Sequence, residues 1–241
     1  MRRRRISLII QARVGSTRLP GKVMKLLSSK PLLSHILERV KQCQLVDDIV
    51  VAIPDLPEDQ VIEKITPCVK GSSEDVLKRY VQAAKVYQSD VIVRITADCP
   101  LIDPFIIDQT IKFFLENDCD IARATTTGGF PRGLDTEVFS KEALLRANSQ
   151  ATDLWAREHV TWHMYNNPGF KHIEMTANKE YRRPAWRLCV DEKADFDLIT
   201  TIYDKLYQGS PIPTLKALDF LDNNPHLLEI NNHIQQKKRS L

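Results

Sequence analysis

The chain has 241 residues, enough to bury a sizeable core, and its 43% hydrophobic and 27% charged content is ordinary for a globular protein. No apolar run reaches the length of a membrane span. The formal charge of +3 is set by the ends, Arg2 to Arg5 and then Lys237, Lys238 and Arg239, so the body is slightly acidic and lacks the basic stripe of a nucleic-acid surface.

Both basic runs are expected to be solvated tails. The apolar stretch after MRRRR is too short for a signal peptide and ends in Gln11 and Arg13, so export is not expected. Five cysteines, an odd number with no CxxC pair, suit a reducing, cytoplasmic compartment. Among them Cys99 reads as a small buried hydrophobe.

Residues 6–10 are short, apolar and β-branched, which predicts a buried strand. The loop QARVGSTRLPGK follows at once. Gly15, Pro20 and Gly21 break regular structure, while Arg13, Arg18 and Lys22 place three cations within ten residues. Such a strand end can cradle a polyphosphate, with backbone N–H groups, Ser16 and Thr17 as donors. It is neither a P-loop nor a Rossmann fingerprint: five residues separate its glycines and Val23 follows Lys22. From spacing alone, a basic solvated loop fits equally well.

Helical spacing then runs from Pro31 through Leu32, Leu33, Ile36, Leu37 and Val40. Residues 49–53 predict a second strand, Val61, Ile62 and Ile65 a helix, and 68–70 a weak strand. Gly71-Ser72-Ser73 turns into a helix with Ser73 as N-cap, ending near Tyr87. Residues 91–95 are strand-like, 104–116 helical and 120–124 strand-like. This alternation predicts a parallel sheet covered on both faces, with ligands beyond the carboxyl ends of its strands. After Ala124 the pattern changes: a turn and strand at 130–140, helices at 141–148 and 152–166, strand-like stretches at 173–177 and 186–190. An amphipathic helix at 195–207 and further helix at 215–228, broken at Pro225, close the reading.

Two aspartates end strands. Asp98 follows 91–95 within VIVRITADCPLIDP, and Asp191 ends RLCVD. Each suits either a helix cap or a ligand for a hard divalent ion. Ser72, Ser73 and Asp75 in GSSEDVLKR fit ordinary capping or hydrogen bonding to a ligand. His159 and His163 stand four apart, but Val160 replaces the Glu of a zinc-protease motif, so packing or hydrogen bonding is the expected role.

The opening motif IIQARVGSTRLPGKVM resembles that of the cytidylyltransferases that activate acidic sugars, the acylneuraminate and 3-deoxy-manno-octulosonate enzymes, and most of all their spore-coat polysaccharide branch. Three further segments match in order: GSSEDVLKR, VIVRITADCPLIDP and RLCVD. The resemblance implies a single domain over 1–241 with a three-layer, Rossmann-like α/β fold of the nucleotide-diphospho-sugar transferase type. It also implies a homodimer and an arm at about 125–185 that reaches the partner.

By that resemblance Arg13, Lys22 and Asp98 are catalytic. Ala12, Arg13, Gly15, Ser16, Arg18, Lys22, Ser72, Ser73, Asp75, Arg94 and Thr96 bind CTP. Asp98 and Asp191 hold Mg2+, and Arg132, Asp135, Glu137, Glu158 and His159 meet the acidic acceptor. Arg132 or Arg157 would pair with its carboxylate. Glu192 stands where the family carries Thr, which removes a hydroxyl contact there. Another nucleotide, a phosphorylated or phosphonate acceptor, or a non-catalytic nucleotide-binding subunit are the alternatives.

Overall fold

The computed structural model describes residues 3–236; Arg2, Lys237, Lys238 and Arg239 of the expected tails lie outside them. Strand β1 (Ile6–Gln11) leads into the loop and a 3-10 turn at Lys22–Met24. A small hairpin of β2 (Leu26–Leu27) and β3 (Lys30–Pro31) precedes α1 (Leu32–Val40) and β4 (Asp48–Pro54). The helix expected around Val61 is a 3-10 helix, Pro57–Lys64. Next come β5 (Cys68–Gly71), α2 (Val76–Val86), β6 (Val91–Thr96), α3 (Pro104–Glu116), β7 (Ile121–Ala124) and β8 (Thr136–Ser140). The chain continues through α4 (Lys141–Gln150), α5 (Leu154–Glu158), α6 (Trp162–Asn166), β9 (His172–Glu174), α7 (Lys193–Leu206) and α8 (Thr214–Asp222).

Among the described residues seven strands form one sheet in the order β5-β4-β1-β6-β8-β7-β9. The pairs β5·β4, β4·β1, β1·β6 and β7·β9 are parallel; β8 alone runs against its two neighbours. Side chains alternate across this sheet, and both faces are covered. Leu8 and Ile10 pack with Leu33 and Ile36 of α1, Ile107 and Ile111 of α3, and Ile202 of α7. Ile9 packs on the other side with Leu77 and Tyr80 of α2, Leu144 of α4 and Met164 of α6. The result is the three-layer α/β fold.

The 125–185 span, expected to hold the arm, is built into the same layers. It supplies β8 and β9 to the same sheet, and α4 to α6 to the same helical layer as α2. The helix expected at 152–166 is two short helices, because Val160, fully buried, adopts a left-handed φ of 42° between them. Asp75, not Ser73, caps α2 by accepting from Lys78 N at 2.9 Å. The 186–190 stretch makes only an isolated bridge, Arg132 to Arg187. Arg3 and Arg5, expected in a solvated tail, pair with Asp47 and Asp48 at 2.9 and 2.7 Å.

Arg39 fastens the carboxyl-terminal part to this frame. Its guanidinium, buried in α1, donates to the carbonyls of Ile102 and Ile212 and to Thr214 Oγ1. Replacing it strands two buried carbonyls, so Arg39→Met is expected to cost about 3 kcal/mol, read from the urea unfolding midpoint at constant m-value.

Candidate active site

Four parallel strands end on one side of the sheet, and their following segments meet there. Ala12 N donates to Ala52 O at 3.1 Å and Ala97 N to Gln11 O at 3.1 Å, so β1 holds its neighbours in register up to the loop. The loop then closes on Val14. Ser16 N and Gly21 N both donate to Val14 O, at 2.7 and 3.1 Å, while Val14 N donates to Asp59 Oδ1 at 2.6 Å. Leu19 and Val23 are buried and anchor the far limb. Gly21 has φ 67°, a left-handed turn that an L side chain would strain, and it starts the 3-10 turn that aims Lys22 inward.

Lys22 Nζ donates to Asp98 Oδ2 at 2.6 Å, Asp191 Oδ1 at 2.9 Å and Val190 O at 2.9 Å. Asp98 and Asp191 are 93 positions apart in sequence but share this one ammonium. A backbone bond from Val190 N to Asp98 O, 2.7 Å, ties their two segments together. Burial works against the Asp98 carboxylate, but the Lys22 charge and its hydrogen bond outweigh burial and hold the carboxyl below its ordinary range, at about 2. Burial opposes the ammonium too, and the two carboxylates more than offset it, so Lys22 is raised.

More cations surround Asp191. Arg18 reaches its Oδ1 at 2.9 Å and Glu192 at 3.7 Å; Arg187 Nη2 donates to its Oδ2 at 2.7 Å. Arg187 also donates to Asp195 at 2.9 Å and to Gln236 Oε1 at 2.9 Å. Asp195 accepts the N–H groups of Asp191 and Glu192 and the Nδ2 of Asn231, which fixes the start of α7 and holds Asp191 in place. Glu192, in the position where Thr was expected, faces Arg18.

A cleft of about 210 Å3 opens over these groups. Ala12, Arg13, Ser16, Arg18, Lys22, Thr96, Asp98, Glu158, His159 and Asp191 line it. Arg13 faces Glu158 at 3.6 Å, both half exposed. His159 stacks at a tilt on Trp155, 4.1 Å between centroids, while His163 turns to Gln150 and Asn167, so the two histidines do not share a face. Cys99 is buried beside Thr96 and Asp98.

Other residues named from the sequence do not line this cleft. Asp75 caps α2 and its Oδ2 pairs with Arg157. Ser72 Oγ accepts from Asp75 N at 3.0 Å; Gly15 and Ser73 lie off the cleft. Arg94 and Glu137 form an ion pair across β6 and β8, with Thr161 Oγ1 donating to the same carboxylate at 2.8 Å and Arg94 Nε to Gln11 Oε1 at 3.1 Å. Arg132 and Asp135 sit just before β8, whose register sets them at the same end of the sheet as Asp98. Burial pushes the Asp135 carboxyl up.

Sequence reasoning missed Gln11, Val76, Arg79 and Gln236 in the cleft wall, and Asp59, Arg187 and Asp195 behind it. Only Arg79 left a signal, a cation on the apolar face of a predicted helix.

A family model for cytidylyltransferases matches residues 7–221. The chain belongs to the cytidylyltransferase family. It is 32% identical over 233 residues to the spore coat polysaccharide biosynthesis protein SpsF of Bacillus subtilis strain 168, covering 91% of this chain and 95% of that protein. Among solved structures it resembles a cytidylyltransferase from Leptospira borgpetersenii, with a TM-score of 0.88, 28% identity, and 98% and 100% of the two chains covered. A CMP:2-keto-3-deoxy-manno-octonic acid synthetase solved with CTP shares the fold at a TM-score of 0.64, 16% identity, over 83% of this chain and 99% of that one. The enzyme is thus a CTP-dependent nucleotidyltransferase.

Glu137 separates a structural from a substrate role. Removing it leaves the largely screened Arg94 guanidinium, its side chain 14% exposed, with no opposing carboxylate, so Glu137→Ala is expected to lose about 3 kcal/mol of unfolding free energy. Chemical denaturation checks this; an unchanged midpoint with a raised acceptor KM would instead give Glu137 to the substrate.

Proposed function

We propose that this enzyme transfers CMP from CTP to an acidic sugar or related acid, releasing pyrophosphate, in the making of a surface polysaccharide or glycoconjugate. The observation that carries the reading is the meeting of Lys22, Asp98 and Asp191 at the floor of a cleft rimmed by Arg13 and Arg18. Cations on a flexible loop suit a triphosphate tail, and carboxylates at the ends of two segments suit the ion that accompanies it.

The residues present fit Mg2+. Asp98 and Asp191 already hold one cation, the Lys22 ammonium, between them, and their donors are all oxygen. Among the described residues no group of three or more His, Cys, Asp or Glu forms a closed cage. The remaining ligands would come from nucleotide phosphates and water. Bound there, Mg2+ would neutralise phosphate charge and polarise the reacting phosphoryl group.

The chain's own residues bind and orient. Arg13, Arg18 and Lys22 hold the triphosphate so that an acceptor oxygen attacks the α-phosphorus in line with the leaving pyrophosphate. A new P–O bond forms as the α–β P–O bond breaks, and the cations carry the charge that develops on the leaving group. Arg132 and Asp135, at the β8 edge of the same sheet end, would meet the acceptor, with Arg132 for its carboxylate. The reading includes a homodimer, as in the family resembled, and a cytoplasmic setting, which five free cysteines support. No described helix is long and apolar enough to cross a membrane.

Incubation with CTP, Mg2+ and a panel of sugar acids should yield a CMP-linked product by mass spectrometry, with stoichiometric pyrophosphate. Asp98→Ala should lower kcat by about a thousandfold while the circular-dichroism spectrum is retained. Near-normal turnover of that variant would remove Asp98 from the chemistry.

A further inference from the structure

Among the described residues Arg79 is a buried cation without a salt-bridge partner. It stands on α2 one turn after Val76, and both line the cleft. The residue is only 2% exposed. Its Nη1 donates to Ser72 O at a long 3.2 Å, and its Nε is buried with no hydrogen-bond partner. The nearby carboxylates are committed elsewhere: Asp75 to Lys78 N and Arg157, Asp59 to Val14 N. Burial accordingly pulls the guanidinium below its usual pKa. A guanidinium carries five N–H donors, and burying it with so few of them used is costly unless another molecule completes the set.

The fold makes room for this side chain. Gly71 ends β5, and a Cβ there would lie 3.1 Å from Arg79 Cγ and 2.8 Å from Gln82 Oε1. Its place in the cleft also points to one part of a nucleotide. Lys22, Asp98 and Asp191 gather past the ends of β1 and β6, whereas Arg79 lies on the helix after β5, at the other side of the parallel strands. Val76 and Arg79 thus line the part of the cleft beyond the Lys22 cluster. Val76 offers an apolar surface to a base ring.

We propose that Arg79 binds the pyrimidine base and selects cytosine over uracil. Cytosine presents O2 and N3 as adjacent acceptors, which a guanidinium meets with two N–H donors. Uracil carries N–H at position 3, so a donor would face a donor. This assignment rests on the cleft being the CTP site. Arg79 lies in the same GSSEDVLKR segment as Ser72, Ser73 and Asp75, which the resemblance implied for CTP binding.

Isothermal titration of the full chain with CTP, UTP and inorganic tripolyphosphate, each with Mg2+, tests it. Arg79→Met should raise the CTP Kd about ten- to hundredfold, the usual worth of a two-bond base contact, with UTP and tripolyphosphate changing by no more than about threefold. Arg79→Lys keeps the charge without the planar fork and should also lose the preference; it stands alone if Arg79→Met does not fold. Gly71→Ala, which crowds the Arg79 stem, should erode the CTP preference in the same direction. An unchanged CTP-to-UTP ratio overturns the assignment, and so does an equal weakening of all three ligands, which would make Arg79 a phosphate or purely structural residue. A wild-type chain that binds no CTP would overturn the nucleotide reading itself, a result distinct from CTP binding that ignores Arg79.

Discussion

One ammonium holds this site together. Lys22 follows a loop that closes on Val14 and ends between two carboxylates that come from segments remote in sequence. Each partner is largely screened from water, so the contact is far stronger than a surface ion pair. It fixes three things together: the loop's path, the separation of Asp98 from Asp191, and the charge of the cleft floor. Without that cation the two carboxylates would repel each other at the end of the sheet.

A second ring of charges keeps this centre in place. Arg187 binds both Asp191 and Asp195, and Asp195 secures the first turn of α7 through backbone N–H groups. Asn231 and Gln236 join from the carboxyl-terminal part, so the last described segment of the chain is tied to the cleft. The cleft wall on the other side depends on Asp59, which holds Val14 and with it the start of the loop. The cationic loop thereby rests on a rigid frame, the arrangement that holds charged groups in fixed positions around a cleft.

Much of this was legible in one dimension. Apolar β-branched runs marked the parallel strands, and turn residues after them marked the strand ends where sites form. Gly21, Arg13, Arg18 and Lys22 marked a cationic loop by residue type alone. What the pattern could not supply was partnership. Asp75, Glu137 and Arg94 have the right chemistry for a ligand, and the fold brings each a partner that the sequence does not reveal: Arg157 for Asp75, and each other for the remaining two. The break at Val160 was equally invisible, since a helical period continues across it and only packing imposes its left-handed turn. Along the 125–185 stretch the local pattern changes, and only the fold shows that β8 and β9 pair into the sheet.

Local sequence by itself determined the strands, most helices and the cationic loop, because backbone preference and hydrophobic period act over a few residues. Tertiary structure alone decided which charges remain available. It spent Asp75 on a cap and an ion pair, left Arg79 buried with donors unused, and brought Asp98, Asp191 and Lys22 within hydrogen-bond reach. The physical reason is range. Propensity is a property of neighbours along the chain, whereas the state of a buried charge depends on whatever distant group the sheet order places beside it.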